Sequence, residues 1–413
     1  MSARSLKALA QSILANAEKL ESYFETNNLP QPSFDEHAPA ELPLSSEMLV
    51  VRRQAVDDAI ELHDLLIGPA MLLRPVLNGT SLQAIWEFDI PSKVPLDGSI
   101  SFQDLAKKVP LKQSDLQRML RFAMVYHHIF QEKTPGIVSH TAASRLLVED
   151  RNARAGLGFM FDECYQSFAH TIEAIKTRGA EEPGDSGWAV SREVNVPLWE
   201  YHTTHPDLGE RASGAMVAFT KGFNLDTRAL TNGYDWSTIG TLVDLGGANG
   251  HVAVDLARAN PNLRCIVQEL PEIVEKAKSE IPADMADRVS LVPHSFFDPQ
   301  PTQADAYLFR QIFHNWSDVY GLKILKALVP AMKKGAKVII NDNIVPPPGV
   351  LPPMQERAVR AMDMIMLSLF NSREREKSDW ENLFAEADPR FSDVKVWTLK
   401  GSQLGLVEAT WSG

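Results

Sequence analysis

Between positions 242 and 250 the chain reads Leu242-Val-Asp-Leu-Gly-Gly-Ala-Asn-Gly250. Apolar residues around Asp244 read as the end of a buried strand. Gly246, Gly247 and Gly250 then permit a tight turn with positive φ and let a ligand approach the backbone with no Cβ in the way. His251-Val-Ala-Val-Asp-Leu-Ala-Arg reads as the start of a helix, whose first N–H groups lack intrahelical partners and can face a ligand. A second apolar strand, Cys265-Ile-Val-Gln268, follows, and Glu269 stands nineteen residues beyond Gly250. An acid at about that distance suits a ribose diol. Strand, glycine turn, helix, strand and acid together read as a nucleoside-binding βαβ unit.

The turn also says what the nucleoside carries. It contains no Lys or Arg and does not end in Gly-Lys-Ser/Thr, so a phosphate-cradling loop is disfavoured. Asp244 would repel a pyrophosphate. It suits a ligand with a cationic group, such as the sulfonium and amino groups of S-adenosyl-L-methionine (SAM). NAD stays open as an alternative, although the spacing is Asp-x-Gly-x-Ala-x-Gly rather than Gly-x-Gly-x-x-Gly.

A chain of 413 residues is long for one domain, and two are expected. We expect a helical, winged-helix-like dimerisation domain over residues 1–155 and a Rossmann-like SAM-binding domain over 156–413, with 156–235 as a helical connection. In the first part, Leu6, Leu9, Ile13, Ala17 and Leu20 recur at helical spacing and need a partner surface. A connector with four prolines between 29 and 43 excludes regular structure there. Residues 46–77 return to a helical pattern. Residues 99–148 then outline a winged helix, with Ser101 and Ser114 as expected helix caps. Its cations are few and the net charge is −12, so packing or dimerisation is expected of it and no nucleic-acid partner. Beyond 240 strands alternate with helices, the pattern of an α/β doubly wound parallel sheet, closed by a hairpin after 393. No apolar run is long enough to span a membrane. Cys164 and Cys265 cannot form a disulfide framework. A cytoplasmic setting is expected.

Ligands of such sheets lie beyond the carboxyl ends of the strands. The loops there contribute Asp244 and the glycines, then Glu269, then Ser295 and Phe296, then Arg310 and His314, then Asp342. Five loops thus bring polar residues together, as an active site requires. Other histidines read differently. His127 and His128 are expected to pack along a helix, and His140 to make structural hydrogen bonds. No cluster has metal-ligand spacing, so no metal is expected.

These residues resemble a family: the class I SAM-dependent O-methyltransferases of the plant caffeate/flavonoid type, in their fungal secondary-metabolite branch. The resemblance covers most of the chain. It is carried by the glycine turn, Gln268-Glu-Leu-Pro271, His314-Asn-Trp-Ser-Asp318, Asn341-Asp-Asn-Ile-Val-Pro-Pro-Pro-Gly349 and Asn371-Ser-Arg-Glu-Arg375 followed by Trp380. It implies that Gly246 and Gly250 approach the methionyl part of SAM and Glu269 takes the ribose hydroxyls. Ser295 and Phe296 would flank the adenine, with Arg310 near the adenine or the carboxylate. His314 would be the general base, held by Asp342 and Glu374. It implies O-methylation of an aromatic or polyketide-derived small molecule; the apolar stripe from Leu6 to Leu20 and the acidic winged-helix unit predict a homodimer. Ser295 and Asn315 stand where that family usually carries acids. This leaves a second reading open, a pericyclase of the same fold that binds SAM without transferring its methyl group.

Overall fold

The computed structural model describes residues 4–73, 79–179, 181–220, 227–400 and 402–413. The chain divides into two compact units, one of residues 1–165, 202–219 and 348–358, the other of 166–201, 220–347 and 359–413.

In the first unit, helix α1 (Leu6–Thr26) starts at Ser5, whose hydroxyl accepts the Ala8 N–H. It packs along α2 (Ser46–Leu72), which is broken at Gly68 and Pro69. Of the α1 stripe Leu9 is buried and Leu6 is exposed. The proline-rich connector has no regular structure. The expected end of α2, residues 74–77, lies outside the described residues. Strands Ser99–Ser101, Gln131–Thr134 and Ile137–Ser139 form a small antiparallel sheet with the third strand in the middle. Against it lies α3 (Gln113–His127), burying Leu116 and Leu120 with Phe102, Leu105 and Val138.

Two expectations here need correction. Ser101 does cap its helix, accepting the Asp104 N–H at 3.0 Å. Ser114 does not: Lys112 occupies the cap position without a side-chain bond, and Ser114 is already inside the helix. His127 and His128 are exposed. His127 is the last residue of the helix, and His128 turns left-handed (φ 51°), out of the helical path. The His128 ring stacks on Phe34 instead. His140 is fully buried, with Nδ1 3.0 Å from Ser144 Oγ and Nε2 3.2 Å from the Val94 carbonyl, as expected of a structural histidine.

The second unit is built on a seven-stranded sheet: β1 (Thr241–Leu245), β2 (Arg264–Glu269), β3 (Val289–Pro293), β4 (Ala306–Arg310), β5 (Lys337–Asn341), β6 (Phe391–Thr398) and β7 (Gly405–Trp411). The order is β3-β2-β1-β4-β5-β7-β6. The first five strands are parallel, and β7 runs antiparallel to both neighbours. This is the Rossmann-like doubly wound α/β sheet that the alternation of strands and helices predicts. Side chains alternate between faces, and both faces are covered, so the strands are apolar on both sides. Val243, Leu245, Tyr307, Phe309, Val338 and Ile340 share one cluster with Ile324, Leu325, Leu383 and Phe384. Leu242, Ala306, Leu308 and Ile339 share the other with Val252 and Leu256. The covering helices are α4 (His251–Ala259) on the second face and α5 (Asp318–Leu328) and α7 (Lys377–Ala387) on the first. Helix α6 (Pro353–Phe370) enters this unit from Val359 onward. Strand order reverses between β1 and β4, which opens a crevice at their carboxyl ends.

Candidate active site

The glycine turn leaves β1 at that crevice. Gly246 has φ 71°, and a Cβ on it would stand 2.6 Å from Ile312 Cδ1. A Cβ on Gly247 would stand 2.5 Å from Asp244 Oδ2 and 2.8 Å from Val267 Cγ1. Only glycine fits at these two positions, and Gly250 (φ 82°) then starts α4. Asp244, just before the turn, is buried, and its Oδ2 makes no hydrogen bond among the described residues. Burial pushes its carboxyl up to about 7, against the pull of the Arg310 charge and with help from Glu269.

Glu269 ends β2 and reaches back to this turn. Its carboxylate accepts the Leu270 N–H at 2.8 Å and the Ala248 N–H at 3.3 Å. Burial raises its pKa, and those two N–H groups oppose the rise. The loop after β3 arrives beside it, since the His294 N–H donates to the Glu269 carbonyl. Ser295 Oγ accepts the Phe297 N–H, and the Phe296 ring comes within 3.5 Å of the Gly246 Cβ position. Arg310 ends β4 and is held by Asn341 Oδ1 at 3.1 Å and Gln311 Oε1 at 3.2 Å. All eight residues expected at the nucleoside therefore lie at the carboxyl ends of neighbouring strands or in the loops that follow them.

This cradle fits SAM on its own features. It offers a turn in which Gly246 and Gly247 leave no room for a Cβ, a helix start behind it, and an acid at the end of the second strand. It also offers a buried carboxylate oxygen awaiting a donor, as the amino group of the methionyl part would be.

The loop after β4 carries the second half of the site. Gln311 adopts a left-handed conformation (φ 55°), a costly one for a residue with a side chain. It redirects the chain into the short 3₁₀ turn Phe313–Asn315. His314 in that turn is 8% exposed, and its Nδ1 lies 3.0 Å from Glu374 Oε1. The His314 N–H donates to Asp342 Oδ2 at 3.3 Å. Burial alone would lower the imidazole pKa. The adjacent Glu374 carboxylate, its hydrogen bond, Asp342 and the Gln311 carbonyl outweigh burial and push it up to about 9. Asp342 is fully buried, and burial raises its carboxyl to about 6 against the pull of His314. His314, Asp342 and Glu374 thus form one cluster.

Three contributors escape a reading of the sequence. Asn343 Nδ2 donates to Glu374 Oε1 at 2.8 Å, on the same oxygen that faces His314. Asp363 of α6 accepts the Glu374 N–H at 2.9 Å. Arg375 is buried and donates to backbone of the His314 turn. Asn343 was findable as the neighbour of Asp342. Arg375 ends the Asn371–Arg375 motif but, like Asp363, shows no sign of its burial, because a charge on a helix or in a charged run is ordinarily solvated.

A Rossmann-like sheet in this order, with a glycine cradle and a histidine–carboxylate cluster at its carboxyl edge, defines a SAM-dependent methyltransferase. The chain belongs to the O-methyltransferase domain family, whose model matches residues 172–389. It is 42% identical to the grayanic acid biosynthesis cluster O-methyltransferase of Cladonia grayi, over 98% of this chain and 87% of that one. It is 41% identical to the O-methyltransferase pyvH of Aspergillus violaceofuscus, over the whole of both. Among solved structures it resembles OxaC in fold, with a TM-score of 0.76 and 19% identity over 98% of both chains. The protein is a SAM-dependent O-methyltransferase of the fungal secondary-metabolite kind, and the pericyclase alternative is not favoured.

Proposed function

We propose that this O-methyltransferase acts on a phenolic hydroxyl of an aromatic or polyketide-derived small molecule, with His314 as general base. The observation that carries the reading is the buried His314–Glu374 contact beside the SAM cradle. With Nδ1 committed to Glu374, Nε2 is the nitrogen that takes the substrate proton. A phenol titrates near 10 and this imidazole near 9, so proton transfer between them is close to balanced. Glu374 fixes the tautomer and stabilises the imidazolium as it forms. Asp342 holds the backbone of the base. Asp244, Gly246, Gly247, Gly250, Glu269, Ser295, Phe296 and Arg310 would hold SAM, which when bound supplies an activated methyl group. The name of the Cladonia relative supports a secondary-metabolite substrate. Incubating the protein with SAM and a panel of phenols, and counting S-adenosylhomocysteine, tests the reading. Conversion of a substrate without S-adenosylhomocysteine would overturn it.

We further propose that residues 1–155 serve dimerisation and that residues 156–413 form the SAM-binding part, with 156–235 as its helical approach. The exposed Leu6 and Leu14 on α1 support this. Light scattering at tens of micromolar should report a homodimer, and a monomer with full activity would count against it. A cytoplasmic location is supported by two free, buried cysteines, Cys164 and Cys265. No described helix is long and apolar enough to cross a membrane.

A further inference from the structure

Glu374 and Arg375 are adjacent in the chain and grip the same turn from two sides. Glu374 takes the ring of His314. The Arg375 side chain, 1% exposed, takes the turn's backbone. Its Nη1 donates to the Phe313 carbonyl at 2.9 Å, and its Nη2 to the Trp316 carbonyl at 2.8 Å. Its Nε donates to Asp318 Oδ1 at 2.9 Å. The guanidinium lies over the Trp380 ring, 5.2 Å from the centroid. The acceptors come from the residue before His314, the residue two after it, and the first residue of α5. A planar fork can satisfy all three at once; a lysine ammonium on a flexible stem cannot hold them in one plane. Arg375 and Glu376 also pair with Ile344 and Val345, just after Asn343, in a short parallel bridge. The arginine is thereby anchored beside the residue that braces Glu374.

We propose that Arg375 is a positioning residue for the methyl-transfer site: it holds the 313–318 turn in register so that His314 meets Glu374 and substrate. It touches neither ring nor substrate itself. The proposal rests on the reading of His314 as general base.

The test compares Arg375→Lys and Arg375→Gln with the parent and with His314→Ala. Three quantities are measured. They are S-adenosylhomocysteine affinity by calorimetry, turnover of a phenol that the parent methylates, and titration of the His314 ring by NMR of labelled histidine. Both variants should bind S-adenosylhomocysteine within about twofold of the parent. Turnover should fall ~10–100-fold with KM for the phenol nearly unchanged, the size expected for a base displaced by about an ångström. The His314 titration should move from about 9 toward that of an ordinary histidine. Lysine keeps the charge, so recovery of parental turnover by Arg375→Lys would overturn the positioning role. So would an unshifted His314 titration, or failure of both variants to fold, which would make Arg375 a folding residue. Normal turnover by His314→Ala would sink the base reading separately, because the ring titration still reports what Arg375 does to the turn.

Discussion

His314 and Glu374 are sixty residues apart in the chain, yet Nδ1 and Oε1 are 3.0 Å apart in the fold. That oxygen also receives the Asn343 amide at 2.8 Å. Two donors converge on one carboxylate oxygen, and both carboxylate and ring are buried. In such surroundings the contact is stronger than on a surface, and it sets which ring nitrogen bears the proton. The tautomer, and with it the ability to take a proton at Nε2, depends on a residue from the far side of α6.

Activity should rise with pH. The His314 ring titrates near 9, so at neutral pH only a small fraction is in the basic form. At saturating SAM, kcat/KM for a phenol should climb close to tenfold per pH unit between about 7 and 8, pass half its maximum near 9 and level only above about 10. Glu374→Gln removes the main support of the charged ring and leaves burial to lower its pKa. The rising limb should then shift toward lower pH while the plateau drops. A pH–rate profile of both proteins checks this, and an unmoved limb would contradict it.

Loss of the base should spare the cofactor. His314→Ala should cut turnover ~10²–10⁴-fold while leaving SAM affinity nearly intact, because the cradle residues other than Arg310 lie in other loops. The deficit should shrink at high pH, where the phenol ionises unaided. Asp342→Asn should lose less, since Asp342 bonds the His314 N–H rather than its ring and supports the ring's charge less than Glu374 does. Calorimetry and steady-state kinetics on the same samples separate the two effects.

The cradle should fail in two distinguishable ways. Glu269→Ala should weaken SAM binding by ~1–3 kcal/mol, the cost of leaving a diol without its acceptor. Gly247→Ala should cost more and also lower the melting temperature, because the new methyl meets Asp244 and Val267. Equal affinity of either variant with the parent, measured by calorimetry, would contradict the assignment.

Asp244 should make stability depend on pH. Its carboxyl is raised by burial from 3.8 to about 7. Between those values the folded state binds a proton that the unfolded state has released. The contribution is complete below about 4 and is lost as pH rises through 7. Asp244→Asn cannot ionise, so its melting temperature relative to the parent should rise from pH 4 to 7, by several degrees in total, and then stay level. A constant gap across that range, read by thermal unfolding, would refute the linkage. The same variant should bind SAM less well.

Much of this protein is local in origin and readable from the chain. The strands show because both faces of the sheet are covered, which forces unbroken apolar runs such as Tyr307–Phe309 and Val338–Ile340. The glycine turn shows because only glycine tolerates the space beside Ile312 and Asp244. The family motif around His314 points to the same edge. What the chain alone could not decide depends on packing between distant segments. A helix cap at Ser114 is ruled out by where α3 begins. His127 and His128 are exposed where the helix stops. Arg375 reads as one more charge among five in Arg373-Glu-Arg-Glu-Lys377. It is buried only because Phe313, Trp316 and Asp318 arrive with acceptors that match its donors. A buried cation survives only where such partners assemble, and tertiary structure alone assembles them.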